Sequence, residues 1–298
     1  MAHSWNDDVR LAHVLADNAD NLSMDRFGAI DLAVSTKPDM SYVTESDQAV
    51  EESIRRQLKS ARTRDVVLGE EQGEIEGSTG SHERRWIIDP IDGTSNFVRG
   101  VPVWATLIAL EEAGEIVAGL VSAPALGRRW WASKDGGAFT GKSFMNAREI
   151  RVSRVSELDN ASFSYASVAG WDRIEKTSGF DALVRRVWRA RAYGDFWSYM
   201  LLAEGAVDIA AEPQLQLWDM AALDIIVREA GGRFTGLDGR DGPWSGNALA
   251  TNERLHDAAL AYLGYFPDDP AADGEDDEES TVRSNILNFP PPTPEEVP

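Results

Sequence analysis

The sequence predicts a fold of mixed α and β structure, in which sheets and helices pack in layers. Short apolar runs of strand length recur along the chain, and segments with apolar residues at helical spacing lie between them. Of the 298 residues, 43% are hydrophobic, which is enough for a large buried core. After about residue 150 helical and strand-like segments alternate, so we expect a second layered half there.

The first half is expected to begin with an amphipathic helix over residues 5–22, because its apolar residues recur every three or four positions. A second helix is predicted over 47–58, capped by Ser46 or Asp47. The predicted strands lie at 66–68, 86–88, 103–110, 116–122, 129–132 and 150–152. The two strands that flank Glu-Glu-Ala-Gly are expected to form a hairpin.

The second half is expected to contain both helices and short strands. Helical spacing predicts helices at 179–188, 197–204 and 220–230. Apolar runs predict strands at 161–165, 208–211 and 247–251.

The sequence suggests three segments along the chain. Residues 1–148 form the first half, and residues 149–266 form the second. Residues 267–298 hold ten acidic residues and one basic residue, with few residues that build a core. This composition predicts a disordered acidic tail.

The composition excludes several classes of protein. Lys and Arg total 29 against 50 Asp and Glu, and the formal net charge of −21 disfavours binding to nucleic acids and to anionic membranes. Because cysteine is absent, disulfides, thiolate nucleophiles and zinc–cysteine sites are excluded. The histidines show no metal-ligand spacing, so we expect oxygen ligands for any bound metal. They are His3, His13, His82 and His256.

The chain also lacks the hydropathy pattern of an exported or membrane-spanning protein. The N-terminus is acidic, and no run of about 18 apolar residues occurs. We therefore expect a cytoplasmic protein whose partner is a small molecule.

The most informative tract is WIIDPIDGTSNF, residues 86–97. It predicts a buried strand that ends at Asp89, because Pro90 cannot continue a ladder and its fixed φ suits the first turn of a helix. Asp92 follows three residues later, so the two carboxylates are expected to converge at this turn. Capping of the helix by Asp89 is the simpler interpretation, but it does not account for the Gly-Thr-Ser-Asn that follows.

Other polar residues are positioned to complete a site. Glu70 follows a short predicted strand, and Asp219 stands at the start of an amphipathic helix. A solvated acidic loop and an N-cap are the simpler interpretations, although an aspartate at a helix start can both cap and coordinate. Lys37 and Asp47 belong to a polar cluster ahead of the second helix.

Residues 136–143, GGAFTGKS, fit the G-x-x-x-x-G-K-[ST] phosphate-loop pattern. That motif requires an apolar strand before it and a helix after it. Here polar residues precede it and a strand-like segment follows, so the sequence predicts a hairpin instead.

Five tracts occur in the order seen in the inositol monophosphatase superfamily, and together they resemble it over roughly residues 5–263. They are KPDMSYVTESD, LGEE, WIIDPIDGTSNF, GGAFTGKSF and WDMAALDIIVREAGG. The resemblance implies a five-layered αβαβα sandwich of the inositol monophosphatase/fructose bisphosphatase type. It also implies a Mg²⁺-dependent phosphomonoesterase with two or three ions per site, in which Mn²⁺ can substitute, and a homodimer.

The resemblance also implies a set of metal ligands. Glu70, Asp89 and the carbonyl of Ile91 resemble the ligands of the activating ion. Asp89, Asp92 and Asp219 resemble those of the second ion. The physical chemistry agrees, because four converging carboxylates need cations, and hard oxygen ligands suit Mg²⁺ or Mn²⁺.

The remaining roles are also carried over from the family. Thr94 with Glu70 would orient and deprotonate the attacking water, and Asp92 would complete the catalytic set. The amides of Gly93 and Thr94 would hold the phosphate. Asp47 and Lys37 would support these residues.

The segment around Asp195 addresses the substrate. Its Arg-x-x-Gly-Asp-x-x-x-Tyr arrangement looks like the histidinol-phosphate phosphatase branch, whereas inositol monophosphatases usually carry a small or hydroxyl residue after the glycine. Asp195 would pair with the ammonium group of histidinol, and Glu212 would be a second anionic group. Capping of a helix that starts at Phe196 is a compatible alternative for Asp195.

Aromatic side chains are expected to face the imidazole of that substrate, and the candidates are Trp104, Phe196 and Trp197. A phosphatase for inositol 1-phosphate or another sugar phosphate remains the alternative, and Asp195 is the feature against it. A non-catalytic binding module would lack a metal ligand, and none is missing.

Overall fold

The computed structural model describes residues 5–37, 42–75 and 83–264, which form five alternating layers of helices and sheets. The predicted five-layered sandwich is therefore confirmed. The predicted tail at 267–298 and residues 38–41 of the polar cluster lie outside the described residues. The helices are α1 (Asn6–Arg26), α2 (Glu45–Ala61), α3 (Thr94–Val98), α4 (Val168–Arg173), α5 (Thr177–Arg186), α6 (Asp195–Ala203), α7 (Leu217–Glu229) and α8 (His256–Leu263).

The strands form two large sheets and one short pair. The strands are β1 (Val34–Thr36), β2 (Tyr42–Thr44), β3 (Val66–Gly69), β4 (Gly73–Ile75), β5 (Arg84–Asp92), β6 (Ala105–Glu112), β7 (Glu115–Ala123), β8 (Arg128–Ser133), β9 (Gly137–Gly141), β10 (Arg148–Glu149), β11 (Ser162–Tyr165), β12 (Arg189–Arg191), β13 (Ile209–Glu212), β14 (Arg233–Thr235) and β15 (Ala248–Thr251). The first sheet has the order β10-β9-β8-β7-β6-β5-β3-β4, and the second has the order β12-β11-β13-β15-β14. Strands β1 and β2 pair with each other.

Helices α1 and α2 cover the outer face of the first sheet. The apolar stripe of α1, which includes Leu15, and that of α2, which includes Ile54 and Leu58, are fully buried against Trp86 and Ile88 of β5. Burial of each such aliphatic side chain stabilises the fold by about 1.5–3 kcal/mol. This packing fixes α2 beside β5, the strand that carries Asp89 and Asp92.

Helices α6 and α7 form the central layer between the two sheets. Their buried residues, such as Met200 and Ile225, share one core with Leu107 of the first sheet and Ala250 of the second. Helices α4, α5 and α8 cover the far face of the second sheet, where Phe180 and Leu183 are buried. The N-terminal turns of α6 and α7 consequently lie between the two sheets.

The hairpin expected at residues 136–143 is confirmed. Strands β8 and β9 pair antiparallel, and the Glu229 carboxylate accepts hydrogen bonds at 2.9 Å from the amides of Asp135 and Gly137. These residues therefore do not form a phosphate loop.

Several predicted boundaries differ from the structure. The second helix begins at Glu45 with Thr44 as its N-cap, so neither Ser46 nor Asp47 caps it. The strand expected at 150–152 lies instead at Arg148–Glu149. Among the described residues, no helix combines the length and apolar character that a membrane span requires.

Candidate active site

A group of carboxylates converges where the first sheet meets the central helices. Strand β3 runs parallel to β5 with Gly69 opposite Ile88, so Glu70 emerges beside Asp89. The first turn of α7 brings Asp219 to the same place. Carboxylate oxygens of Asp89, Asp92 and Asp219 all lie within 4.8 Å of one another.

The spacing of Asp89 and Asp92 depends on an irregularity in β5. The strand does not stop at Asp89 as predicted, because it continues through Pro90 to Asp92. The register against β6 shifts between Asp89 and Asp92, so the ladder at Pro90 does not require an amide donor. The Pro90 carbonyl accepts a hydrogen bond at 2.8 Å from the Thr106 hydroxyl.

Helix α3 begins after this strand, with Gly93 as its N-cap rather than Asp89. Gly93 has a φ of 83°, in the left-handed region that glycine adopts without strain. A Cβ atom there would lie 3.0 Å from the Val103 carbonyl oxygen and 3.3 Å from Asp195 Oδ2. The turn therefore requires glycine and places the backbone next to Asp195.

The carboxylate group fits a divalent cation. Asp89 is 2% exposed, and its Oδ1 has no hydrogen-bond partner among the described residues. Burial, together with the charges of Glu70 and Asp92, raises the pKa of Asp89 well above its usual range. An oxygen donor set with a buried, unpartnered oxygen suits a hard ion such as Mg²⁺.

The other two carboxylates are held by backbone amides at helix starts. Asp219 accepts a hydrogen bond at 2.7 Å from the Gln216 amide, and Asp92 accepts one at 2.7 Å from the Phe196 amide. Asp219 is thus the third residue of α7 in a capping box with Gln216, and not its N-cap. Burial raises the pKa of Asp219 to about 7, and burial with the charges of Asp195 and Asp219 raises that of Asp92.

Asp47 links the second helix to the start of α3. Its side chain accepts hydrogen bonds from the Thr44 amide at 2.8 Å and from the Thr44 hydroxyl at 2.5 Å. Its other oxygen lies 3.2 Å from Thr94 Oγ1, which is also 3.0 Å from the Ile91 carbonyl oxygen. Burial raises the pKa of Asp47. The structure therefore brings Asp47, Ile91 and Thr94 together through the Thr94 hydroxyl.

Glu70 lies beside the group of converging carboxylates, but its side chain pairs with the ammonium group of Lys37. Lys37 Nζ lies 2.7 Å from an oxygen of Glu70 and 2.7 Å from an oxygen of Glu71. Burial alone would lower the pKa of Lys37, but the two carboxylates outweigh it and raise this pKa. The expected pairing of Thr94 with Glu70 stays a prediction, since the Thr94 hydroxyl contacts Asp47 here.

Two further acids, Asp195 and Glu212, lie next to the converging carboxylates. Asp195 is the first residue of α6, with Gly194 as N-cap, so the expected helix start at Phe196 is displaced by one residue. The Asp195 Oδ2 atom accepts a hydrogen bond at 3.0 Å from the side-chain amide of Asn96. Glu212, at the end of β13, is buried and its Oε1 has no partner among the described residues.

Both acids of this pair are shifted toward the protonated form. Burial raises the pKa of Asp195 to about 6. Burial, with the charges of Asp195 and Asp219, raises the pKa of Glu212 well above its usual range. A cationic ligand would relieve this arrangement of buried acids.

We predicted that three aromatic side chains face the substrate, and the prediction is wrong for two of them. Trp104 and Phe196 are fully buried. Trp104 packs against Phe27 and Phe97 behind α3, and Phe196 packs against Trp130. Trp197 is partly exposed and remains a candidate.

Two residues near the site were not predicted from the sequence. Asn96 donates to the Val103 carbonyl at 2.9 Å as well as to Asp195, and its only sequence signal was its place in WIIDPIDGTSNF. Glu51 is fully buried on α2. Its position one turn before Arg55, on the same helix face as Val50 and Ile54, was the available signal.

The layered fold and its converging carboxylates define an α/β protein with an oxygen-donor site that can hold a divalent metal ion. Comparison with known proteins then gives the family: the inositol monophosphatase family model matches residues 5–264, and the chain belongs to this family.

Relatives and solved structures agree with this assignment. The chain is 64% identical to the histidinol-phosphatase of Streptomyces coelicolor, with 86% of this chain and 97% of the relative covered. It is 57% identical to the histidinol-phosphatase of Mycobacterium tuberculosis, with 88% and 99% covered. The extragenic suppressor protein suhB from Bartonella henselae has a similar structure, with a TM-score of 0.78 at 30% identity and 86% and 97% coverage. An inositol monophosphatase from Zymomonas mobilis matches with a TM-score of 0.76 at 31% identity and 88% and 99% coverage.

Proposed function

We propose that the protein hydrolyses histidinol phosphate to histidinol and phosphate, a step of histidine biosynthesis. The observation that carries the proposal is the Asp195 carboxylate, held by Asn96 at 3.0 Å beside the turn that presents Gly93. The two relatives named histidinol-phosphatase support the proposal. They are 64% and 57% identical to this chain, which covers 97% and 99% of their lengths.

Asp195 and Glu212 fit the leaving group of this substrate. Histidinol carries an ammonium group and an imidazole, whereas inositol is neutral. Half-buried Asp195 and buried Glu212, both with raised pKa values, would bind a cation more tightly than a neutral polyol, because the cation offsets their desolvation. The charge of the leaving group would thereby determine selectivity.

The phosphate end would be held by the other residues of the site. Asp89, Asp92, Asp219 and Glu70 would hold divalent ions, which when bound would neutralise phosphate charge and lower the pKa of water. The Thr94 hydroxyl, which donates a hydrogen bond to Asp47, would position the attacking water. The backbone amides of Gly93 and Thr94, at the start of α3, would donate hydrogen bonds to the phosphate oxygens.

Phosphate release from a panel of esters tests the proposal. The purified protein with Mg²⁺ is given histidinol phosphate, inositol 1-phosphate or fructose 1,6-bisphosphate, and kcat/KM is compared. We expect at least about a 100-fold preference for histidinol phosphate, which corresponds to roughly 2.7 kcal/mol. A preference for inositol 1-phosphate would contradict the assigned substrate, although the metal site would stand.

Three further properties belong to the proposal. Mg²⁺ is the physiological ion, with Mn²⁺ as a substitute; the protein is a homodimer; and it acts in the cytoplasm on a small phosphate ester. Metal titration, light scattering of the purified protein and cell fractionation test these properties separately.

A further inference from the structure

A buried carboxylate on α2 contacts the turn that carries Glu70. Glu51 is fully buried, and the turn it faces consists of residues 70–72, between β3 and β4. Its Oε2 accepts a hydrogen bond at 2.7 Å from the Glu71 amide, and its Oε1 accepts one at 3.0 Å from the Gln72 amide. Both amides directly follow the proposed metal ligand.

Arg55 completes this contact one helical turn later. Its Nε donates to Glu51 Oε1 at 2.8 Å, so the buried charges are paired. Its Nη1 donates to the Val67 carbonyl at 3.1 Å, and its Nη2 donates to the Gly73 carbonyl at 2.5 Å. Arg55 therefore binds β3 before the turn and β4 after it.

Gly69 allows the carboxylate to approach this closely. A Cβ atom at Gly69 would lie 2.5 Å from the carboxyl carbon of Glu51 and within 2.7 Å of both its oxygens. Any side chain at this position would push the carboxylate away from the two amides. The short strand and the helix thus fit together only with glycine here.

We infer that Glu51, with Arg55, is a positioning residue that fixes Glu70 for metal binding. The side chains of Glu70 and Glu71 both pair with Lys37, whose Nζ lies 2.7 Å from a carboxylate oxygen of each. The backbone contacts from Glu51 hold the turn in place without bonding to either side chain. Glu70 is then free to exchange Lys37 for a metal ion without moving its backbone.

This inference rests on the proposed metal-dependent phosphatase function, but it does not depend on the substrate. The test is Glu51→Gln, which keeps the shape of the side chain and replaces one acceptor oxygen with a donor facing a backbone amide. Binding of Mn²⁺ is measured by calorimetry without substrate, together with hydrogen exchange at the amides of Glu71 and Gln72. We expect about 10–100-fold weaker Mn²⁺ binding, as for other residues that orient metal ligands, and faster exchange at both amides.

The matched control is Glu52→Gln, an exposed neighbour on the same helix, which should leave Mn²⁺ affinity unchanged. A second variant, Gly69→Ala, disturbs the same contact from the other side and should weaken binding in the same direction. It carries the test if Glu51→Gln does not fold. The inference would be overturned if a folded variant showed faster amide exchange with unchanged Mn²⁺ affinity, or if Glu52→Gln weakened binding equally.

The kinetic measurement separates positioning from a general loss of structure. With Glu51→Gln, activity should recover at saturating metal, and the KM for the preferred phosphate ester should change less than about twofold. A persistent loss of kcat at saturating metal would contradict the inference. If histidinol phosphate were not the substrate, the Mn²⁺ result would still hold. The assigned substrate and the positioning role of Glu51 can therefore fail independently.

Discussion

The side-chain amide of Asn96 donates a hydrogen bond to Asp195 Oδ2 at 3.0 Å, across 99 residues of sequence. Asn96 lies on α3, which follows the central acidic tract, and Asp195 begins α6. This bond couples the proposed phosphate side of the site to the proposed leaving-group side. The position of Asp195 therefore depends on the turn that contains Gly93.

Replacement of Asp195 by Asn should reduce discrimination between substrates. Asp195 has a φ of 49°, which Asn tolerates, whereas a β-branched residue such as Thr would be strained there. Loss of the charge should lower kcat/KM for histidinol phosphate by about 30–100-fold, or roughly 2–3 kcal/mol, and change that for inositol 1-phosphate much less. Steady-state kinetics with both esters measure this, and an equal loss with both would contradict ammonium pairing.

Replacement of Asp89 by Asn should stabilise the metal-free protein. Because the folded-state pKa of Asp89 is raised above its unfolded value, its cost to stability is absent at low pH and complete once pH exceeds the folded pKa. At pH 8 without metal, the variant should therefore be more stable than the wild type, because its side chain has no charge to desolvate. Mg²⁺ should raise the Tm of the wild type but not that of the variant.

The control for this prediction is Asp25→Asn, which removes an exposed carboxylate of α1. Thermal unfolding with and without Mg²⁺ should not distinguish it from the wild type. If Asp89→Asn kept the full rise in Tm with Mg²⁺, Asp89 would not be a metal ligand.

His256 should make stability depend on pH far from the active site. Its ring nitrogens lie 3.1 Å from the hydroxyls of Thr235 and Thr251, and burial lowers its pKa to about 4. Because the unfolded state binds the proton more readily, stability falls as pH drops below about 6.5 and stops falling below about 4. Between pH 7 and pH 5 this histidine should account for a loss of about 2 kcal/mol.

Urea unfolding of His256→Gln at the two pH values measures this contribution. The variant should lose about 2 kcal/mol less than the wild type between pH 7 and pH 5. Identical pH dependence in the two proteins would show that His256 does not titrate as its burial indicates.

Replacement of Trp104 by Phe should leave substrate binding nearly unchanged. The ring is fully buried against Phe27 and Phe97, and its Nε1 has no hydrogen-bond partner among the described residues. We expect a loss of stability under about 1.5 kcal/mol and a change in KM below about twofold. A tenfold rise in KM for histidinol phosphate would instead place this ring against the substrate.

The local pattern of the sequence was enough to predict the layers and the acidic tracts. Apolar periodicity gave the buried faces of α1 and α2, and strand-like runs gave the β6–β7 hairpin. The family resemblance then placed Glu70, Asp89, Asp92 and Asp219 in one site, and the register of β3 against β5 brings the first two side by side.

What the sequence could not predict depends on contacts between distant segments. Pro90 normally ends a strand, but the register shift beside β6 lets β5 continue through it. Asp47 and Asp219 resemble N-caps, yet Thr44 and Gln216 occupy those positions, and both aspartates lie at the third residue of their helices. Trp104 was predicted to face the substrate, but its ring packs against Phe97 of α3.

In our proposal, metal binding and recognition of the leaving group depend on different helices of the central layer. In our proposal Asp219 on α7 binds the catalytic metal ions, while Asp195 on α6 and Glu212 on β13 face the leaving group. Libraries of side-chain replacements at Asp195 and Glu212 would therefore vary the alcohol that is released while keeping the Phe196 backbone amide that holds Asp92. The scaffold is on these grounds a starting point for the directed evolution of phosphatases that act on other amino-alcohol phosphates.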